Sequence, residues 1–206
     1  MNVFTDAPEV LSIEVRILHA LPDAPNVDVY ASGTLIATNV EFGQISLYKK
    51  MPYGEYEIQL YPAGKYDKPL FTDKIYFSPK SSNTVSVITL NNSITFLHLK
   101  DASAVSGGST QSFIRFINLS PNSPLLALGL PNGEELFTGV EYAETTGYYP
   151  LSSGIYDFKI TISSAEAIYK YLRGVQLENG KFYTIYIIGL YKKSPRLGYI
   201  LIEDGK

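Results

Sequence analysis

Apolar and polar residues alternate along most of this chain. In IEVRILH, Ile13, Val15 and Ile17 share one phase, while Glu14 and Arg16 share the other. In VDVYA, Val27 and Val29 fall together; in YEIQLYP, Tyr56, Ile58 and Leu60 do. YDFKITI repeats the pattern with Tyr156, Phe158, Ile160 and Ile162. A period of two puts successive side chains on opposite faces of a half-buried strand. TVSVITL and TIYIIGL are denser apolar runs, as a strand inside a sheet requires. Between the strands lie PDAPN, ASG, PYG, PAG, SPKSSN, SPNSP, PNG, SSG and ENG. Strands punctuated by turns at about 8–12 residues predict a sandwich or barrel. AEAIYKYL (Ala165–Leu172) comes nearest to a helical pattern, but it stands where the other copy has KPLFTDKIYF, so a strand is expected.

The chain carries its pattern twice. VRILHALPDAP from Val15 matches IRFINLSPNSP from Ile114, pairing Arg16 with Arg115, Pro22 with Pro121 and Pro25 with Pro124 at an offset of 99. TNVEF and TGVEY, Tyr48 and Tyr148, Gly54 and Gly154, and Tyr56 and Tyr156 are 100 apart. FLHLKD from Phe96 matches YILIED from Tyr199 at 103. Two copies of a module of about a hundred residues follow, the usual size of a domain. The expected layout is an N-terminal segment at 1–12, module 1 at 13–101, a linker at 102–112 and module 2 at 113–206. The linker reads ASAVSGGSTQS, a composition that behaves as flexible coil. The fold expected is all-β: two tandem sandwiches, immunoglobulin-like or prealbumin-like.

Met51–Tyr56 and Leu151–Tyr156 share the form apolar-x-x-Gly-x-Tyr at the start of a strand. Such a Tyr ties back across a corner in immunoglobulin-like sandwiches. Tyr56 and Tyr156 are therefore expected to hold structure rather than ligand.

Composition narrows the function. The net charge is −3, which argues against a nucleic-acid partner. There is no Cys, which excludes disulfides, thiol catalysis and Cys-ligated metals, and two His make no His-rich metal site. MNVFTDAPEV lacks the basic and apolar regions of a secretory signal. No run approaches the roughly 18 apolar residues of a membrane span. Phosphate-cradling glycine motifs and G-x-S-x-G are missing as well.

The first module resembles the DUF4397 family of bacterial domains of unknown function. The residues that carry this are Arg16, His19, Ala20, Pro22, Asp23, Ala24, Pro25, Val27, Asp28, Val29 and Tyr30, then Val40, Phe42 and Gly43, then Pro52, Gly54 and Tyr56. The second copy keeps Arg115, Pro121, Pro124, Val140, Gly154 and Tyr156, and places Asn118, Asn122 and Leu126 where the hallmark has His and two Asp. The resemblance implies an extracellular or cell-surface bacterial sandwich, often in tandem, and no particular activity. A cytoplasmic location is the alternative.

Candidate chemistry is sparse. Asp23, Asn26 and Asp28 offer oxygen ligands to a hard cation, but oxygen-rich turns use the same groups to cap backbone, and that reading is preferred. His19 with Asp23 suggests an acid–base pair without a nucleophile; a structural His19 is preferred. Arg16 and Arg115 suit a carboxylate partner, with Glu41 and Glu141 as the repeated candidates. The same acids raise a Lys–Asn isopeptide link, which Arg in place of the Lys argues against.

Tyrosine remains: there are 17, and Tyr48, Tyr53, Tyr61, Tyr66, Tyr148, Tyr149, Tyr183 and Tyr191 cannot all be core. Exposed rings stack on sugars or build protein interfaces, and Tyr is equally a good strand residue; both readings stand. Tyr148 and Tyr149 are the binding residues expected, since one of two neighbouring strand residues faces outward. No cofactor is expected. The reading is a non-enzymatic binding or adhesion-type module for a glycan, cell-wall component or protein. A spacer or assembly scaffold is the alternative, ahead of an enzyme centred on His19 and Asp23.

Overall fold

The computed structural model describes residues 12–103, 109–162 and 167–205, without the side chains of 167 and 168. The expected N-terminal segment (apart from Ser12), residues 104–108 of the linker and residues 165–166 of AEAIYKYL lie outside them. The described residues form sixteen strands and no helix. The chain divides into two compact units, Met1–Asp101 and Ala102–Lys206.

Module 1 contains β1 (Ser12–His19), β2 (Val27–Ala31), β3 (Thr34–Val40), β4 (Lys49–Pro52), β5 (Gly54–Pro62), β6 (Phe71–Phe77), β7 (Ser82–Leu90) and β8 (Ser93–Asp101). Two sheets result, in the orders β4-β1-β7-β8 and β3-β2-β5-β6. Module 2 contains β9 (Gln111–Asn118), β10 (Leu126–Gly129), β11 (Glu135–Val140), β12 (Tyr149–Ser152), β13 (Gly154–Ile162), β14 (Ala167–Leu177), β15 (Phe182–Ile188) and β16 (Gly198–Glu203). Its sheets are β12-β9-β15-β16 and β11-β10-β13-β14, strand for strand the same order. β9 already begins at Gln111, inside the segment read as linker.

One pair in each module is parallel, β1 with β7 and β9 with β15; the other pairs are antiparallel. β7 and β15 are the two dense apolar runs; both lie between neighbours in their sheet, and both are buried on their two faces along most of their length. An immunoglobulin constant-type sandwich divides its strands ABED and CFG. Here the division is four and four, with the first strand beside the seventh, which is the prealbumin-like of the two arrangements expected.

The alternation places the core as the pattern requires. Ile13, Val15 and Ile17 pack with Val27, Val29, Ile58, Leu60, Val85 and Val87 between the two sheets. Ile114, Phe116, Leu126, Leu128, Phe158, Ile160, Ile185 and Ile187 do the same in module 2. AEAIYKYL is strand from Ala167 onward. The corners form as expected: Tyr56 donates to the Pro52 carbonyl at 2.9 Å, and Tyr156 to the Ser152 carbonyl at 2.8 Å.

A strap joins the two layers. After β3 the chain crosses back to β1, where the Ser46 N–H donates to the Ile17 carbonyl and the Ile17 N–H to Ser46 Oγ at 2.9 Å. Thr146 repeats both bonds with Phe116. The straps lay Tyr48 and Tyr148 against the side of β1 and β9 that faces away from the core.

Candidate functional site

Arg16 and Arg115 take the polar phase of β1 and β9, yet both are buried, 2% and 4% exposed. A guanidinium cannot shed its charge, so burial demands an anion. The anion is Asp101, with an Arg16 Nη2–Oδ2 distance of 3.5 Å, and Asp204 serves Arg115 at the same distance. Thr84 accepts from Arg16 Nε at 2.8 Å and donates to Asp101 at 2.6 Å; Thr184 does so at 2.9 and 2.5 Å. Tyr48 donates to Asp101 at 2.7 Å, and its ring lies 4.5 Å over the guanidinium carbon. Tyr148 donates to Asp204 at 2.8 Å and covers Arg115 at 4.6 Å. Burial and the Asp204 charge push the Tyr148 hydroxyl well above the usual phenol range.

The expected partners, Glu41 and Glu141, are instead exposed at the start of the strap. Their backbone N–H groups are capped by Gln44 Oε1 and Glu144 Oε2. The strap brings its Tyr, not its Glu, onto the Arg. Each four-residue unit is a closed circuit of charge and hydrogen bonds, built to hold the last strand and the strap onto the first strand.

His19 is fully buried. Its Nε2 meets the Pro25 carbonyl at 3.0 Å, and its Nδ1 accepts from the Leu21 N–H at 3.3 Å. Burial lowers its pKa, and the Pro25 contact only partly offsets this. A proton shuttle needs a ring nitrogen directed at substrate, and both nitrogens serve the turn. In module 2, Asn118 does the same work: its Oδ1 accepts from the Ser120 N–H at 3.0 Å, and its Nδ2 donates to Ser123 Oγ at 2.9 Å.

Asp23, Asn26 and Asp28 take separate partners. Asp23 is exposed on the turn with φ 61. Asn26 donates to Asn39 Oδ1 at 3.1 Å. Asp28 is 2% exposed and accepts four bonds. Oδ1 takes the Asn39 N–H at 2.6 Å and Thr38 Oγ1 at 3.0 Å; Oδ2 takes the Gly64 N–H and Tyr66 Oη, both at 2.9 Å. Desolvation pushes its pKa up, but these bonds outweigh it and the net shift is downward. Among the described residues no group of three His, Cys, Asp or Glu is placed to hold a metal.

Asp28 also organises the aromatic cluster that sequence reasoning missed. Tyr30 lies on β2, Tyr61 pairs with Asp28 across β5, and Tyr66 is drawn in from the following loop by its bond to Asp28. The three rings meet edge to face, with centroids 5.7, 5.7 and 6.0 Å apart. Tyr66 is 54% exposed, and its hydroxyl is pushed up to about 12, first by the bond to Asp28. Leu35 pairs with Tyr30 and is exposed beside it. Among the described residues of module 2 there is no such cluster: Gly129 and Thr161 stand where Tyr30 and Tyr61 do. Ala127, not Leu126, stands opposite Thr161 as Asp28 stands opposite Tyr61, because Leu126 is the core residue that matches Val27.

Of the expected binding pair, Tyr148 is half-buried over Arg115, while Tyr149 is 37% exposed and meets Phe137 edge-on at 6.1 Å. Tyr53 is exposed and Tyr183 is buried.

Fold and site thus define a protein of two β-sandwich modules, each closed by a buried Arg–Asp circuit, with a tyrosine cluster on the first. The chain belongs to the family described as "Domain of unknown function (DUF4397)", which it matches twice, over residues 13–129 and 130–206. The first match runs past the structural boundary at Asp101 into the strands that restart the pattern. No curated protein matches the chain. Among solved structures it is similar to the crystal structure of CBMbc (family CBM26) from Eubacterium rectale Amy13K in complex with maltoheptaose, at 9% identity and a TM-score of 0.29, covering 93% of this chain and 96% of that one.

Proposed function

We propose that the chain is a non-enzymatic binding module of a bacterial cell-surface or extracellular protein, and that the Tyr30–Tyr61–Tyr66 cluster of module 1 is its contact surface for a glycan. One observation carries the reading. Asp28, a buried carboxylate, bonds Tyr66 and so draws its ring against those of Tyr30 and Tyr61, which gathers three partly exposed aromatic rings at one place on a sheet face. Tyrosine presents a wide apolar ring with a polar rim at small cost in side-chain entropy, which suits stacking on a sugar ring with hydrogen bonds at its edge. The other candidate groups, His19, Arg16 and Arg115, have their polar atoms directed inward.

A glycan array probed with the whole chain tests this. The expected result is retention of a defined set of glycans, weakened about tenfold or more by Tyr66→Ala or Tyr30→Ala, a loss of ~1.4 kcal/mol or more. Binding that both variants leave intact, or no retention of any glycan, overturns it.

A further inference from the structure

The two modules differ most in one hairpin. Between β7 and β8 the chain turns on Asn91-Asn92. Between β15 and β16 the turn is longer, and here the repeat offset steps from 100 to 103. The lengthened turn reads YKKSPRLG and gathers Lys192, Lys193 and Arg196 within five of its residues. It encloses a surface pocket of 440 Å³ lined by Tyr169, Leu190, Lys192, Lys193, Ser194 and Arg196. Among the described residues the lining has three cations, the hydroxyls of Tyr169 and Ser194, and no carboxylate.

All three cations and Ser194 are exposed. Among the described residues none of the three makes an ion pair; Lys192 lies 5.0 Å from the ring of Tyr191. The loop is nonetheless built to hold one shape. Asn122 clamps Tyr191 from both sides, accepting its N–H at 2.8 Å and donating to its carbonyl at 3.0 Å. Tyr169 donates to the Leu197 carbonyl at 3.2 Å, and the Leu190 N–H donates to the Pro195 carbonyl at 2.8 Å. Gly189, at φ +85, lies so close to the Arg196 carbonyl that a Cβ would strike it. Backbone and neutral side chains therefore hold three like charges together without neutralising them, and that arrangement favours an anion.

We propose that this pocket binds a tetrahedral oxyanion, a phosphate or sulfate group, with the Arg196 guanidinium as a two-pronged donor, Lys192 and Lys193 as point charges, and Ser194 as a hydroxyl donor. The site is on module 2, the tyrosine cluster is on module 1, and this site takes a charged ligand, so either proposal stands or falls without the other.

The test is an amide NMR titration of the full chain with inorganic phosphate, against chloride at matched ionic strength. The expected result is saturable shifts confined to residues 189–197, Asn122 and Tyr169, with the Asn91-Asn92 hairpin of module 1 unmoved. Arg196→Gln with Lys193→Gln weakens the affinity about tenfold or more. Both side chains are exposed, so the spectrum elsewhere remains that of the folded protein. A second arm uses a polyphosphate chain: tighter binding than inorganic phosphate assigns the group to a polymer, and equal binding to a free ion. No saturable shift at 189–197, or shifts that persist in the double variant, overturns the proposal.

Discussion

Tyr148 lies across Arg115 with its ring centroid 4.6 Å from the guanidinium carbon, and the same hydroxyl reaches Asp204 at 2.8 Å. One side chain thus covers the buried cation and bonds its counter-ion. Module 1 repeats the relation through Tyr48, Arg16 and Asp101.

Asp204→Asn keeps the shape of the acceptor and removes the charge. Arg115 is then buried without an anion, which costs about 3–5 kcal/mol. Urea denaturation followed by NMR shows module 2 unfolding at lower denaturant, while module 1 resonances keep their midpoint. Replacing both partners, Arg115→Met with Asp204→Leu, restores most of the loss because no lone charge remains. An unchanged midpoint in Asp204→Asn would mean that solvent reaches the guanidinium.

Asp28 and Tyr66 make a spectroscopic prediction. The phenol of Tyr66 is pushed up to about 12 by its bond to Asp28, then by its contacts with Tyr30 and by burial. Asp28→Asn removes the charge and lets Tyr66 fall back toward its ordinary value of 10.0. Ultraviolet phenolate titration detects the change as one tyrosine ionising earlier. The variant also loses charge-assisted bonds, each worth about 1.5–3 kcal/mol, so module 1 melts earlier.

Acid sensitivity belongs to module 1. His19 and His98 are both lowered from 6.5, mainly by burial, with Lys100 adding to the effect at His98. The unfolded chain therefore binds protons that the folded module resists. The stability associated with neutral His is full above about 6.5 and falls as pH drops below it toward the folded pKa values. Module 2 has neither residue. Thermal denaturation at successive pH values between neutral and about 5 shows module 1 losing stability the faster. His19→Asn, the arrangement of Asn118, reduces the slope.

The corner bond is the smallest effect. Tyr56→Phe and Tyr156→Phe each remove one hydroxyl from a backbone carbonyl and leave the ring in place. Each costs about 1 kcal/mol. Hydrogen exchange of the first amides of β5 and β13 speeds up locally, which separates a loosened corner from global unfolding.

The strands and the corner were legible because period-two alternation and a local Gly-x-Tyr spacing are short-range signals. β2 begins and ends where VDVYA does. The parallel pair was not legible, since alternation says that a strand is half-buried and not which strand lies beside it. The partner of Arg16 was missed for the same reason. Asp101 and Asp204 stood in the aligned FLHLKD and YILIED, but Glu41 was the nearer repeated acid. Only the strap geometry turns Glu41 outward and brings Tyr48 in. The Asp28 cluster draws donors from Thr38, Asn39, Gly64 and Tyr66, which no one stretch of sequence contains. One signal was available and unused: the offset step from 100 to 103 marks the lengthened basic hairpin.

The parallel pairing has a consequence for the order of events on the ribosome. β1 is made first in its module, but one of its two hydrogen-bonding neighbours is β7, and the carboxylate that neutralises Arg16 closes β8. A nascent module 1 therefore carries an uncompensated guanidinium until its final strand leaves the exit tunnel. Once Asp101 emerges, the module can shut on itself before module 2 has left the tunnel. Each repeat is thus latched by a carboxylate at the end of its own C-terminal strand.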